Sequence, residues 1–119
     1  MKLLIVDDSL IMRKAIERGL AEKNFTLVGS VADGVEGLRV FTETLPELVT
    51  LDIAMPRMDG LSCLAEMLKI NKEAKIIMIT SQSDEKTASE AVKKGAAGFL
   101  VKPFNTEKLL EKVNEVLSV

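Results

Sequence analysis

Five short apolar runs alternate along the chain with five longer segments of helical period. The first run, Lys2 to Val6, ends at Asp7-Asp8. Ser9 then stands where it can cap a helix with the apolar set Met12, Ala15, Ile16 and Leu20, and Leu10 and Ile11 fall off that stripe. The second run, about Thr26 to Val31, is more polar, as suits an edge strand. Asp33 with Glu36 makes a capping-box-like start to a helix expected to bury Val35, Leu38 and Phe41 before Pro46 stops it. The third run, about Glu47 to Ile53, leads into the loop Ala54 to Gly60. The next helix carries Leu61, Leu64, Ala65 and Leu68 on one predicted buried face. Lys75 to Ile79 follows as a strand ending at Thr80-Ser81. The helix from about Asp84 to Lys94 has a thin apolar face of Ala88, Ala91 and Val92, and Gly95 can end it in the left-handed conformation. Gly98 to Val101 is the fifth strand, ending at Lys102-Pro103. Asn105 caps the last helix, Phe104 can staple onto Leu109, and Leu109, Leu110, Val113, Val116 and Leu117 form its buried face.

Strict alternation of strand and helix predicts an α/β, doubly wound fold, in which a five-stranded parallel sheet has helices on both faces. The 119 residues suit one domain, 1–119, and the 47% hydrophobic content excludes a disordered chain. A net charge of −2 gives no support for nucleic-acid or anionic-membrane binding, and no apolar run approaches a membrane span. Asp7 and Asp8 interrupt the opening apolar run too soon for a signal peptide. One cysteine, Cys63, cannot form an internal disulfide; it is expected in the core, with a reducing cytoplasm as the default compartment. The absence of histidine removes Ser-His catalysis and His metal sites.

In doubly wound folds ligands gather beyond the carboxyl ends of the strands. Those ends hold Asp7-Asp8, Asp52, Thr80-Ser81 and Lys102. Asp52 is the one carboxylate of its apolar strand end, so it must face a metal, a partner or a reagent. Three carboxylates crowded at about 4–5 Å repel by roughly 3–4 kcal/mol per pair at an effective dielectric near 20, and one lysine offsets only part of this. A divalent cation with oxygen ligands, Mg²⁺ rather than zinc, is the natural remedy, and it shares its shell readily with phosphate oxygens. A carboxylate beside a metal, an amine and hydroxyl or amide donors can act as a nucleophile toward phosphorus. Ala32-Asp33-Gly34-Val35-Glu36-Gly37 is no dinucleotide fingerprint, and no P-loop is present.

At Ile5-Val6-Asp7-Asp8-Ser9 with Met12-Arg13, at Asp52 with Met55-Pro56 and Gly60, at Thr80-Ser81, and at Phe99 with Lys102-Pro103-Phe104, the chain resembles the receiver domain of two-component response regulators. Among these it is most similar to single-domain chemotaxis regulators, and the resemblance covers essentially the whole chain. It implies a flavodoxin-like sheet of order 2-1-3-4-5. It also implies that Asp52 accepts a phosphoryl group from a phosphohistidine on a partner kinase. Asp8 would bind Mg²⁺ directly, Asp7 largely through water, and Ala54 through its backbone carbonyl. Lys102 would contact the phosphate ahead of a cis bond to Pro103, Thr80 would swing toward the phosphoryl group, and Phe99 would turn inward behind it. Output would pass through the fourth helix, fifth strand and fifth helix, with Ala88, Phe99, Val101 and Lys112 as contacts. Implied partners are a histidine kinase, a phosphatase and an output protein such as a flagellar motor switch component, met by a monomer.

Phe99 stands where a tyrosine would add a hydroxyl. Ala54 and Gln82 fill rim positions that tune dephosphorylation in this family, and Ala54 brings no group to position water. Leu10 and Ile11, if exposed, offer a contact for a kinase or phosphatase. Three competing functions are weaker. An aspartate-nucleophile phosphatase usually offers a second acid two residues after the nucleophile, where this chain has Ala54, and needs a cap segment. A flavin module lacks aromatics to stack on its ring, at 3% with no Trp or Tyr. A phosphorelay shuttle would share the same rim. The expectation is a phosphoacceptor rather than an enzyme, with output supplied by another protein.

Overall fold

The structure, a computed structural model, describes residues 1–81 and 84–118. Gln82, expected at the rim, and Ser83 lie outside the described residues. The elements are β1 (Lys2–Val6), α1 (Leu10–Gly19), β2 (Thr26–Val31), α2 (Gly34–Thr44), β3 (Leu48–Asp52), α3 (Gly60–Ile70), β4 (Lys75–Thr80), α4 (Glu85–Lys93), β5 (Gly98–Val101) and α5 (Thr106–Leu117). All strand pairs are parallel and the sheet order is β2-β1-β3-β4-β5. The order reverses between β1 and β3, and that switch point opens a crevice at their carboxyl ends.

Alternation along the strands builds two cores. Leu4, Val6, Val49, Leu51, Ile76 and Met78 pack with Val40, Phe41, Leu64, Met67, Ala88 and Ala91 of α2, α3 and α4. Leu3, Ile5, Leu48, Ile77, Ile79 and Leu100 pack with Ile16, Leu20, Leu109, Val113 and Val116 of the α1 and α5 side. Period-two side chains on a sheet covered on both faces make nearly every central position apolar, Thr50 of β3 being a buried exception, which is why β1, β3 and β4 read as hydrophobic runs.

Local signals place the ends. Ser9, Asp33, Asp59 and Asn105 each accept a backbone N–H of the first helical turn. Asp84 occupies the corresponding position of α4 without such a bond. Ser81 Oγ donates to Asp84 Oδ2 at 3.3 Å, tying the end of β4 to the start of that helix. Gly95 has φ +116°, as the sequence anticipates for the end of α4. Leu45, at φ 48°, closes α2 in the same region just before Pro46.

Several helix faces are rotated from their expected positions. Ala15, Val35, Ala65 and Val92 are exposed rather than buried, and Leu38, Leu61, Leu68, Leu110 and Leu117 are only half-buried. In α2 the core takes Gly37, Val40 and Phe41. In α3 it takes Cys63, Leu64 and Met67. Each of these helices carries more apolar residues than one face can bury, and the sheet's position selects among them. Phe104 packs on the cluster that contains Leu109, as the staple requires.

Candidate functional site

The acid pair and the first helix cap form one turn. Ser9 N donates to Asp7 Oδ1 at 2.9 Å, and Ser9 Oγ accepts from Met12 N at 3.2 Å. Arg13 reaches back from α1, where Nη1 donates to the Asp7 carbonyl at 2.7 Å. Asp7 is 0% exposed, Asp52 is 5% exposed, and Asp8 opens to solvent. One oxygen from each of these three carboxylates lies within 4.8 Å of the others.

Asp52 ends β3, and the chain leaves it through a tight turn in which Gly60 N donates to Ile53 O at 2.7 Å. A Cβ on Gly60 would collide with the Asp52 carbonyl, so only glycine lets α3 start this close to the acid. The Ala54 amide donates to Asp52 Oδ1 at a long 3.4 Å.

Lys102 supplies the counter-charge. Its amide donates to the Thr80 carbonyl at 2.6 Å, its bond to Pro103 is cis, and Nζ lies 3.3 Å from Asp7 Oδ2 and 3.9 Å from Asp52 Oδ1. The 3.3 Å contact is ionic without hydrogen-bond alignment, because Asp7 Oδ2 is buried and accepts no hydrogen bond. One lysine thus faces three carboxylates. A buried carboxylate oxygen with no donor costs on the order of 1–3 kcal/mol or more. An unsatisfied oxygen at the head of an all-oxygen cluster fits a hard divalent cation.

The Asp52 carboxyl is raised from 3.8 to about 6, first by burial and then by the charge of Asp7, with Asp8 adding to both. Lys102 and the Ala54 amide pull the other way and leave the net shift upward. Near neutral pH the group is still largely an anion, as a nucleophile must be.

The remaining predicted residues divide. Thr80 is buried beside the cluster, with Oγ1 donating to the Ser81 carbonyl at 3.2 Å. Among the described residues no hydrogen bond joins it to Asp52. In the ladder Asp52 faces Ile79, and Thr80 stands one position further on, opposite Val101. Phe99 is half-buried on the core that contains Ala88 and Ala91. Ala88, expected as a surface contact, is 0% exposed, so it supports α4 from beneath and offers nothing to a partner in this conformation. Small residues on the core side of α4 let that helix sit close to the sheet. Val101 is half-exposed. Lys112 pairs with Glu115 at 3.2 Å, and its stem covers Gly98. Leu10 and Ile11 stand exposed in the first turn of α1, Ile11 at 83%. Cys63 is buried, its thiol pushed up to about 12 by burial and then by Asp59.

Two arginines had no assigned role in the sequence reading. Arg13 appeared only as a motif letter, yet it holds the Asp7 backbone, and its Nε is buried without a hydrogen bond. Arg57, at φ 69° in the loop after Asp52, pairs with Asp33 Oδ2 at 2.8 Å. Asp33 also caps α2, and the Glu36 amide followed by Arg57 holds its carboxyl below the ordinary value. This pair ties the β3–α3 loop to the β2–α2 loop. No spacing rule connects positions so far apart in sequence, so only the folded chain reveals it.

The family model for the response regulator receiver domain matches residues 3–114. Chemotaxis protein CheY of Listeria monocytogenes is 39% identical over 115 residues, covering 97% of this chain and 97% of that protein. Chemotaxis protein CheY of Bacillus subtilis is 37% identical over 117 residues, with 98% of each chain covered. Among solved structures, the CheX–CheY–BeF3–Mg²⁺ complex from Borrelia burgdorferi superposes with a TM-score of 0.91 at 35% identity, covering 98% of this chain and 88% of that one. The receiver domain of NtrX from Brucella abortus gives 0.91 at 29% identity, with 98% of each covered. Fold, rim chemistry and relatives agree: the chain belongs to the response regulator receiver domain family and within it is CheY-like.

Proposed function

We propose that the chain is a phosphoacceptor switch in chemotaxis, charged at Asp52 by a partner histidine kinase. The observation that carries this reading is the meeting of a buried, anionic Asp52 with Lys102 and the under-satisfied Asp7 at the switch point of the sheet. An Asp52 oxygen attacks the phosphorus of a phosphohistidine, and the P–N bond breaks with its electron pair left on the imidazole. The product is an aspartyl phosphate. Lys102 leaves its carboxylate contacts to pair with the phosphoryl oxygens, and the Ala54 amide is placed to donate to them. Mg²⁺ held by Asp7, Asp8, Asp52 and the Ala54 carbonyl would screen the crowded negative charge when bound. The chain's own chemistry is this single transfer and its hydrolysis, with no turnover of a separate substrate.

Thr80 gives up its bond to the Ser81 carbonyl and turns to the phosphoryl group, and Phe99 moves inward behind it. α4, buried only through Ala88 and Ala91, is the element loose enough to follow. The changed α4-β5-α5 surface, with Val101 and Lys112, meets an output protein such as a motor switch component. A phosphatase resets the switch, and the CheX–CheY complex among the structural neighbours shows a similar protein bound to a second protein. The exposed Leu10 and Ile11 beside the acids suit the kinase or phosphatase contact.

Acetyl phosphate, or beryllofluoride with Mg²⁺, is expected to shift amide resonances around Asp52, Thr80 and Phe99 in the wild type and not in Asp52→Asn. Incorporation of phosphate into Asp52→Asn at the wild-type level would falsify the assignment.

A further inference from the structure

The apolar stripe that the sequence places on the helix after Asp52 enters the core only in part: Leu64 is buried, Leu61 and Leu68 pack half-buried at the core's edge, and Ala65 is exposed. Leu61, Leu64, Ala65 and Leu68 of α3, together with Lys69 and Lys94, line an open groove of about 430 Å³ between α3 and the end of α4. The core takes Cys63, Leu64 and Met67, so α3 presents two apolar stripes that share Leu64. A helix facing only water on its outer side has no need of the second stripe. At the far end, a Cβ on Gly95 would come within 2.8 Å of Leu68 Cδ1, so backbone rather than a side chain closes the groove there.

The groove is asymmetric in charge. Its two ionic residues are both lysines and both stand at the C-terminal ends of their helices. Lys94 makes no ion pair among the described residues. Lys69 pairs with Glu66 at 3.4 Å, but the two side chains are 73% and 45% exposed, so that pair exchanges at little cost. From Leu61 to Lys69 the lining runs about 12 Å along α3 at 1.5 Å per residue, the length of two helical turns.

We propose that the α3–α4 groove docks a short amphipathic helix of a partner protein, whose apolar edge lies on Leu61, Leu64, Ala65 and Leu68 and whose acidic first turn meets Lys69 and Lys94. Anchors at i, i+3, i+4 and i+7 span the same two turns. Acidic residues in a first turn are also favoured by that helix's own dipole, so the charge that suits the lysines suits the occupant. The groove lies on the flank of α4 away from β5 and α5, so it adds a surface to the proposed output face. Its occupancy does not depend on the chemistry at Asp52.

The test uses the whole chain without phosphodonor and two synthetic helices. Both carry leucines at i, i+3, i+4 and i+7; one has aspartate and glutamate in its first turn, and the other has lysines there. The acidic peptide is expected to shift the amide and methyl resonances of Leu61, Ala65, Leu68 and Gly95 and to bind about tenfold more tightly than the basic one. Ala65→Arg, at an exposed position, should abolish binding with the circular dichroism spectrum unchanged. The double variant Lys69→Glu and Lys94→Glu should reverse the preference between the peptides. Shifts centred on Leu10 and Ile11, equal affinities, or unimpaired binding by Ala65→Arg would each overturn the proposal. So would self-association in sedimentation that maps to the groove, since it would assign the surface to a second copy.

Discussion

Replacing Asp52 with asparagine should stabilise the metal-free protein at neutral and alkaline pH, against the usual rule that altering a buried polar residue destabilises. The Asp52 carboxyl is raised from 3.8 to about 6 because burial and the Asp7 charge outweigh Lys102. The native state therefore holds that proton more tightly than the unfolded chain does. Stability linked to this group is fully present below the unfolded value and declines as pH rises toward 6; above the native value the whole penalty is in force. At 1.36 kcal/mol per pK unit the deficit reaches about 3 kcal/mol, and the side chain is too buried for solvent screening to erase it. Asparagine keeps the shape and removes the charge, so the variant should gain up to about 3 kcal/mol at pH 8 in chelator, on the order of 10 °C in Tm. The gain should shrink toward zero near pH 4. Because the chain has no Trp or Tyr, urea unfolding followed by far-ultraviolet circular dichroism is the suitable assay. An asparagine variant no more stable than wild type at pH 8 would refute the reasoning, as would a gain of equal size at pH 4 and pH 8. Adding Mg²⁺ should close the gap by stabilising the wild type more than the variant; parallel shifts would count against cation binding at these carboxylates.

Other perturbations read the same cluster from different sides. Lys102→Met strips the counter-charge from the buried Asp7 and should cost about 3 kcal/mol, measured by urea unfolding in chelator. Arg13→Gln removes the charge-assisted bond to the Asp7 carbonyl, an expected loss of about 1.5–3 kcal/mol, and calorimetry should show Mg²⁺ affinity falling with it. Cys63, buried and with its thiol pushed up to about 12, should resist iodoacetamide in the native state and react only at the rate of unfolding; rapid native alkylation would contradict its placement. Gly95→Ala forces a side chain into a left-handed backbone against Leu68 and should destabilise by about 1 kcal/mol or more.

The sequence alone determined the order and type of the ten elements among the described residues, and the residues at the strand ends. Those are decided by short-range physics: period-two and period-3.6 burial, caps at Ser9, Asp33 and Asn105, and the αL requirement met by Gly95. Asp7, Asp8, Asp52 and Lys102 were legible as a site because a doubly wound sheet sends every strand's carboxyl end to one rim, and the folded chain brings the four together. Other features waited on the tertiary structure. Which of two overlapping apolar stripes α3 would bury was undecidable from its own residues, since Leu61, Ala65 and Leu68 match the helical period as well as Cys63 and Met67 do. The sheet chose the second set and left the first as the wall of a groove. Ala88 falls on the thin apolar face that the period predicts, while the resemblance makes it a surface contact; the packed chain buries it completely, so the local period was right and the contact role was not. The Arg57–Asp33 tie, the Arg13 bond to the Asp7 backbone and the unmatched Asp7 oxygen depend on distances between chain segments that local pattern does not encode. Pattern specifies what each segment wants to bury, but the choice among equally apolar faces, and the pairing of charges across loops, belongs to the packed whole.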